Sequence, residues 1–469
     1  MSTWGSGFGP NGTRLYDLWT LFYRFGMPLL PILERWRRDG LRVDIVMALK
    51  HKKLTDLKLR EGEKLIEQML GPFFNWRSPK QVAHLFYDIW GLPKQYNVDK
   101  KTREKHITIN ADARDKLRAV VAEREDEKAR AARALFGLLD FCSEQKKLSE
   151  YYDRISPDDR IHAGWKGHGA VNFRLASTPN VQNWPTWPIA EGFECPRAIV
   201  IPDDDDDVFL MYDFEQVELW TYMRIFNIKY LQRVYESGDY IYGKAYEDIF
   251  KRPFFQEGKP RRKKFKAPDV EAQDLLRAKA IPLGVLYGRS GASVALEHGW
   301  LRAEGESYRA DWFRLNPELP AAHSWIQYEM TQKGFLRPPP GFLLHFPQPT
   351  LLGYNCFGAT PAAALLLESV ILMEREFARR GWKNTKTKLC VHDSLLINVA
   401  GGRKHPERVC EVHEEVCAPI LTRPIDWLDG FQYRAEAKVG TRWDWGEEDY
   451  DEWTQTAGAS NASPALQTQ

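Results

Sequence analysis

Residues 208–220, VFLMYDFEQVELW, set the tightest constraint on the fold. Residues 208–212 form an apolar run suited to a buried strand, and the run ends in Asp213. A polar turn follows, then a helix-compatible sequence. A carboxylate at the mouth of such a strand packs poorly and is well placed to hold a divalent cation. A second stretch, 387–400 (TKLCVHDSLLINVA), has two apolar runs flanking His392-Asp393-Ser394, the pattern of a β-hairpin with an aspartate at its turn. Two strand-borne aspartates, remote in sequence but able to meet on one sheet, suit a two-metal phosphoryl-transfer site. Metals roughly 3.5–4 Å apart activate the attacking oxygen there and steady the leaving one.

A chain of 469 residues exceeds one ordinary core and predicts two to four subdomains. Its 66 lysines and arginines nearly balance 64 aspartates and glutamates, so any polyanion-binding surface must come from segregated charge. The six cysteines (142, 195, 356, 390, 410, 417) show neither C-x-x-C pairing nor zinc spacing, and read as reduced thiols of a cytosolic protein. No apolar run approaches the roughly 20 residues of a membrane span, and the first residues lack a signal-peptide pattern. The expectation is a cytoplasmic protein with no membrane partner.

Along the chain, residues 1–26 carry no assignable role. From 27 to about 153 the pattern is largely helical. Ser78 reads as an N-cap, Pro79 as the first helical residue, and Gly91 and Pro93 as the stop. Residues 112–152 predict an exposed helix pair. A polar, loop-like region (156–183) precedes the Asp213 strand. The five aspartates at 203–207 could ligate metal but read as a solvated turn. Residues 236–340 again look helical. A basic block, GKPRRKKFK (258–266), could bind phosphates or be an ordinary exposed loop, and it leads into a helix opened by Pro268-Asp269. From about Thr454 the chain reads as a disordered tail.

In that helix Lys279, Leu283 and Tyr287 fall at i, i+4 and i+8, on one face. A cation, an apolar residue and an aromatic in line could contact a triphosphate, a sugar and a base in succession. The same stripe is also what a Leu/Tyr core face with a snorkelling lysine would show.

Together these segments resemble motifs A, B and C of the family A DNA polymerases, the group of bacterial DNA polymerase I. The pattern D-Y-S-Q-I-E-L-R appears as Asp213-Phe214-Glu215-Gln216-Val217-Glu218-Leu219-Trp220. K-x-x-x-F-x-x-x-Y-G appears as Lys279, Leu283, Tyr287 and Gly288, and V-H-D-E as Val391-His392-Asp393-Ser394. Residues 27–44, 74–93, 174–185 and 438–446 resemble further family segments in the right order, so the resemblance covers roughly 27–446.

The resemblance implies an α+β, right-hand polymerase: thumb (27–155), palm in two parts (156–235 and 341–453), fingers (236–340), an N-terminal segment (1–26) and a tail (454–469). The implied activity is template-directed extension of a primer 3′ end with dNTPs by two-metal phosphoryl transfer, in replication, repair or lesion bypass. Asp213 and Asp393 would hold two Mg²⁺ ions, or Mn²⁺ in their place, with the Phe214 carbonyl as an extra ligand. Lys279, Leu283, Tyr287, Glu218 and Gln216 would line the dNTP site, with Glu218 as the steric gate against a 2′-hydroxyl. Arg174, His392 and Asn355 match primer-terminus positions, and Asn180, Gln182 and Asn183 match duplex contacts.

The chain departs from the family pattern in several places. The motif B arginine is Leu275, and Arg277 lies about 200° around the helix from Lys279. Triphosphate binding could therefore draw on Arg261, Arg262, Lys263 and Lys264, or on a re-aimed Arg277. Pro282 inside the helix predicts a kink, and Ser394 replaces the motif C glutamate. Only about 26 residues precede the polymerase region, so no proofreading domain is expected. A compact, phage-type enzyme in the host cytoplasm or nucleoid, served by a separate exonuclease or replisome factors, fits that reading. Two alternatives are a catalytically impaired primer–template binding protein and a single-subunit RNA polymerase.

Overall fold

The structure is a computed structural model that describes residues 7–8, 13–98, 104–122, 124–167, 169–444 and 446–456. It divides into two compact units. One gathers Met1–Arg42, Ile161–Thr186 and Val200–Gln469, the other Val43–Arg160 and Trp187–Ile199.

The first unit is built on a five-stranded sheet of β1 (Val208–Phe214), β2 (Lys386–Val391), β3 (Ser394–Val399), β4 (Ala435–Gly440) and β5 (Glu448–Asp449). The order is β2-β3-β1-β4-β5 and every neighbouring pair is antiparallel. The central strand is the apolar run read from the sequence, and all its residues except Asp213 are buried. Val208, Leu210, Tyr212 and Phe214 enter the main core.

Nine helices of this unit matter for the site: α1 (Met27–Asp39), α2 (Val217–Phe226), α3 (Lys229–Ser237), α4 (Ile241–Phe250), α5 (Ala272–Leu286), α6 (Gly291–Glu297), α7 (Arg302–Leu315), α8 (Glu318–Lys333) and α9 (Leu351–Arg379). Helix α9 is the only one, among the described residues, long and apolar enough to cross a membrane. Its most apolar stretch is 94% buried inside the protein. It lies close against α2, where Gly358 leaves room: a Cβ there would stand 3.2 Å from that of Glu218.

Several expectations need revision. Helix α1, expected to open the thumb, shares the sheet's core through Leu29, Leu33 and Trp36, and Arg35 pairs with Glu374 on α9 at 2.5 Å. Helix α5 starts at Ala272, not at Pro268. Ala267 and Val270 are buried, and the Val270 amide donates to the Ala267 carbonyl, so these residues form a fixed turn. The helix continues past Pro282 to Leu286. Residues 203–207 are an ordered latch instead of a merely solvated turn. Asp203 accepts from Lys388 at 2.8 Å, and Asp207, 6% exposed, accepts from Asn398 Nδ2 and the Gly401 amide. Tyr450–Thr456 is a helix reaching into the expected tail, and 457–469 lie outside the described residues. All six cysteines are free and buried.

The second unit is helical. Ile45–Leu70 and Glu127–Tyr152 pack closely where Gly62 meets Cys142, and Ala111–Ala122 joins them. Ser78 caps Pro79–Ala83 by accepting from the Gln81 amide, and Gly91 follows at φ 69°. The helix pair expected to be exposed buries one face. Leu117, Val121, Leu135 and Phe136 are wholly enclosed, and Phe136 stacks on Phe86 at 4.6 Å.

Candidate active site

Two local devices bring the aspartates together. After Asp213 the chain leaves β1 through Gln216, which takes a left-handed conformation (φ 41°, ψ 41°) and accepts the first amide bonds of α2. The β2–β3 hairpin turns at His392-Asp393, with His392 at φ 54°. Ser394 stands directly opposite Asp213, and the Phe214 amide donates to the Asp393 carbonyl at 3.3 Å. Both predicted carboxylates thus occupy one end of the sheet.

The electrostatics there are unfavourable to both charges. Asp213 opens to solvent, yet surrounding protein and the carboxylates of Asp393, Glu436 and Asp444 push its pKa up to about 7. Burial raises Asp393 as well. Burial also raises Glu218, on the first turn of α2, against the opposing pull of Arg174, to which it is ion-paired.

On α5, Lys279, Leu283 and Tyr287 are all half-exposed, as the shared-face reading requires. Leu283 and Tyr287 also pack on the core, as the core-stripe reading requires. Lys279 has no carboxylate partner among the described residues. Burial lowers its pKa, and the like charge of Lys263 lowers it further. Tyr287 ends the helix, and Gly288 (φ 75°) lets Tyr354 lie against the turn.

The other predicted residues divide. A cleft of about 260 Å³ gathers Arg174, Asn180, Gln182, Asn183 and His392. Within it the Gln182 amide donates to the Cys390 carbonyl at 2.9 Å, so this side chain braces β2. Asn355, on α9, accepts from Asn172 at 3.1 Å. Arg261 is held by Asp239 and Glu247 and lies over Phe255. Arg277 pairs with Asp274 and lies over Trp300. Both guanidiniums are committed to structure, whereas Arg262, Lys263 and Lys264 are exposed. A larger cleft of about 720 Å³ is lined wholly by the second unit and contains none of these residues.

Sequence reasoning missed Glu436. The alternation Arg434, Glu436, Lys438 against Ala435, Ala437, Val439 marks a strand, but only the register places Glu436 opposite Asp213.

The chain is 24% identical to DNA polymerase I of Pseudomonas aeruginosa over 436 residues, covering 89% of this chain and 43% of that protein. It is 25% identical to DNA polymerase I of Streptococcus pneumoniae over 397 residues (81% and 42%) and 24% identical to that of Bacillus subtilis over 430 residues (87% and 44%). It therefore spans about two fifths of the length of these curated relatives. In three dimensions it resembles the POL domain of Pol1 from M. smegmatis, solved in complex with DNA primer-template and dNTP. The TM-score is 0.71 at 20% identity, over 91% of this chain and 71% of the other. This likeness establishes the α+β polymerase fold, with helical thumb and fingers and an antiparallel palm. The model of DNA polymerase family A matches residues 47–342, an interval that includes Asp213 and Lys279 and ends before Asp393. That match spans well over half of the sequence: the chain belongs to DNA polymerase family A.

Proposed function

We propose that this chain extends the 3′ end of a DNA primer with deoxynucleoside triphosphates under the direction of a template. One observation carries the reading. Asp213 and Asp393 meet at one end of the sheet, and among the described residues no cation is salt-bridged to either, which suits a pair of metal ligands. The donor set fits a hard divalent cation, since two carboxylates and the Phe214 carbonyl are all oxygen. Among the described residues no three His, Cys, Asp or Glu side chains form a ring of ligands. That suits Mg²⁺, which takes its remaining ligands from water and substrate phosphates.

Asp213 and Asp393 would hold two Mg²⁺ ions, for which Mn²⁺ could substitute. When bound, the ions activate the primer hydroxyl and stabilise the departing pyrophosphate. Lys279 neutralises charge developing on the triphosphate, and its lack of a carboxylate partner leaves it available for this. Lys263, whose charge bears on Lys279, takes the place of the arginine missing at Leu275. Tyr287 stacks beside the nascent base pair, Leu283 covers the sugar, and Gln216 sets the turn into α2. Glu218 fills the space a 2′-hydroxyl would need, fixed by Arg174. Asn180, Asn183, Asn355 and His392 contact the primer–template backbone without reading sequence. The second unit holds most of the proposed thumb, 236–340 supply the fingers, and the sheet is the palm.

The test is extension of a 5′-labelled primer on a longer template with Mg²⁺ and either dNTPs or NTPs. Extension with dNTPs alone is expected, without primer shortening when nucleotides are withheld. Extension only with NTPs would make the chain an RNA polymerase. Tight primer–template binding with no extension would favour the impaired reading, which Leu275 and Ser394 motivate.

A further inference from the structure

Strand β4 places Glu436 directly opposite Asp213, just as β3 places Ser394 on the other side. Residues directly opposed in an antiparallel pair share a face, with Cβ atoms about 5 Å apart. Ser394, Asp213 and Glu436 therefore form a row across three strands, at the end where Asp393 turns the hairpin. The two flanks differ in chemistry. Ser394 Oγ donates to the Val391 carbonyl at 2.8 Å, which turns the hydroxyl back into the hairpin. Glu436 is exposed and takes part in no hydrogen bond or ion pair among the described residues. The basic side chains on its own face are engaged: Lys438 with Glu447 at 3.2 Å, and Arg434 with the Tyr235 carbonyl at 3.0 Å. The Glu436 carboxylate therefore adds negative charge beside Asp213 with no salt bridge among the described residues to offset it.

We infer that Glu436 is a positioning residue for the metal site, doing from β4 what a glutamate at position 394 would do from β3. The inference rests on the metal-dependent reading above. Among the described residues the three carboxylates do not close into a direct ligand group, so Glu436 would act on a metal held by Asp213 and Asp393 through that metal's water. Mg²⁺ retains several waters when bound by one or two carboxylates, and an acceptor in that outer layer fixes their orientation.

Two variants of the whole chain test this: Glu436→Gln, and Glu436→Gln combined with Ser394→Glu. Mn²⁺ binding is titrated by electron paramagnetic resonance, which needs no turnover, and the Mg²⁺ dependence of primer extension is measured in parallel. Glu436→Gln should weaken Mn²⁺ binding by about tenfold and raise the Mg²⁺ needed for half-maximal extension by a similar factor. Adding Ser394→Glu should recover most of the loss, which a merely structural role would not produce. Mn²⁺ affinity within twofold of the parent in Glu436→Gln, or no recovery in the double variant, would overturn the inference. Asp213→Asn separates the two levels. If it binds Mn²⁺ as the parent does, the metal reading itself fails. If it loses Mn²⁺ while Glu436→Gln does not, only the role of Glu436 falls.

Discussion

The two ends of β1 are both rich in carboxylates and treat them in opposite ways. Before the strand, Asp203 is paired with Lys388 and Lys386, Asp205 with Arg42 at 2.8 Å, and Asp206 with Lys404 at 2.5 Å. Asp207 is buried and holds two donors. After the strand, Asp213 faces Asp393 and Glu436 with no salt bridge among the described residues, Lys438 offsets their charge only in part, and the proton affinity of Asp213 rises. The first end shows how acidic residues stabilise a fold, each matched to a cation or a donor. The second is held in mutual repulsion, which a bound cation relieves. Proximity of acids is common to both ends, and the distinguishing mark of the second is the missing partner.

The strongest way to break this contrast is at the second end. Asp213→Asn or Asp393→Asn should lower primer extension by about a thousandfold or more while primer–template binding and folding persist. Near-normal extension in either variant would remove the metal assignment. At the first end the effect should fall on stability alone. Lys388→Met removes the buried ammonium from Asp203 and should cost about 2–3 kcal/mol in urea denaturation, with extension by the folded protein unchanged. Glu218 sharpens the contrast, being a carboxylate of the active end that does have a partner. Glu218→Ala should reduce the preference for dNTPs over NTPs by about tenfold or more in single-nucleotide incorporation, and an unaltered preference would remove it as the gate.

The smallest effect is the pH dependence. Asp213 has a folded pKa of about 7, above the ordinary aspartate value of 3.8. Between these limits the folded state binds more protons than the unfolded one, so stability is greatest below about pH 4 from this group and declines as pH rises through 7. Without divalent cations, Asp213→Asn should remove that decline. It should be more stable than the parent at pH 8 by on the order of 1 kcal/mol, the exposed carboxylate being partly screened. Thermal melts at pH 5 and 8 would show it.

The parts of this site legible in the sequence are those with a local signal. The strand into Asp213, the hairpin at Asp393 and the Lys279 stripe each rest on spacing within a few residues, and all three form as read. The opposition of Glu436 and Asp213 depends on how strands more than two hundred residues apart align, which neither periodicity nor composition encodes. The basic block illustrates a second limit. Four adjacent cations look equivalent in sequence, but Asp239 and Glu247 claim Arg261 and leave Lys263 exposed. Pro268-Asp269 suits a turn as well as a helix opening, and burial of Ala267 and Val270 decides for the turn, so α5 starts only at Ala272. Helix α1 shows a related limit, since its apolar stripe does not say which core it joins and it packs with the sheet.

The strand order has a consequence for synthesis. Strand β1 is apolar on both faces, and the two strands that cover its edges, β3 and β4, begin at 394 and 435. A ribosome therefore delivers a sticky, open-edged segment long before it delivers either neighbour, and such an edge invites association with other chains. The same delay keeps Asp213 apart from Asp393, and the pairing of β1 with β3 that brings them together also covers one of those open edges.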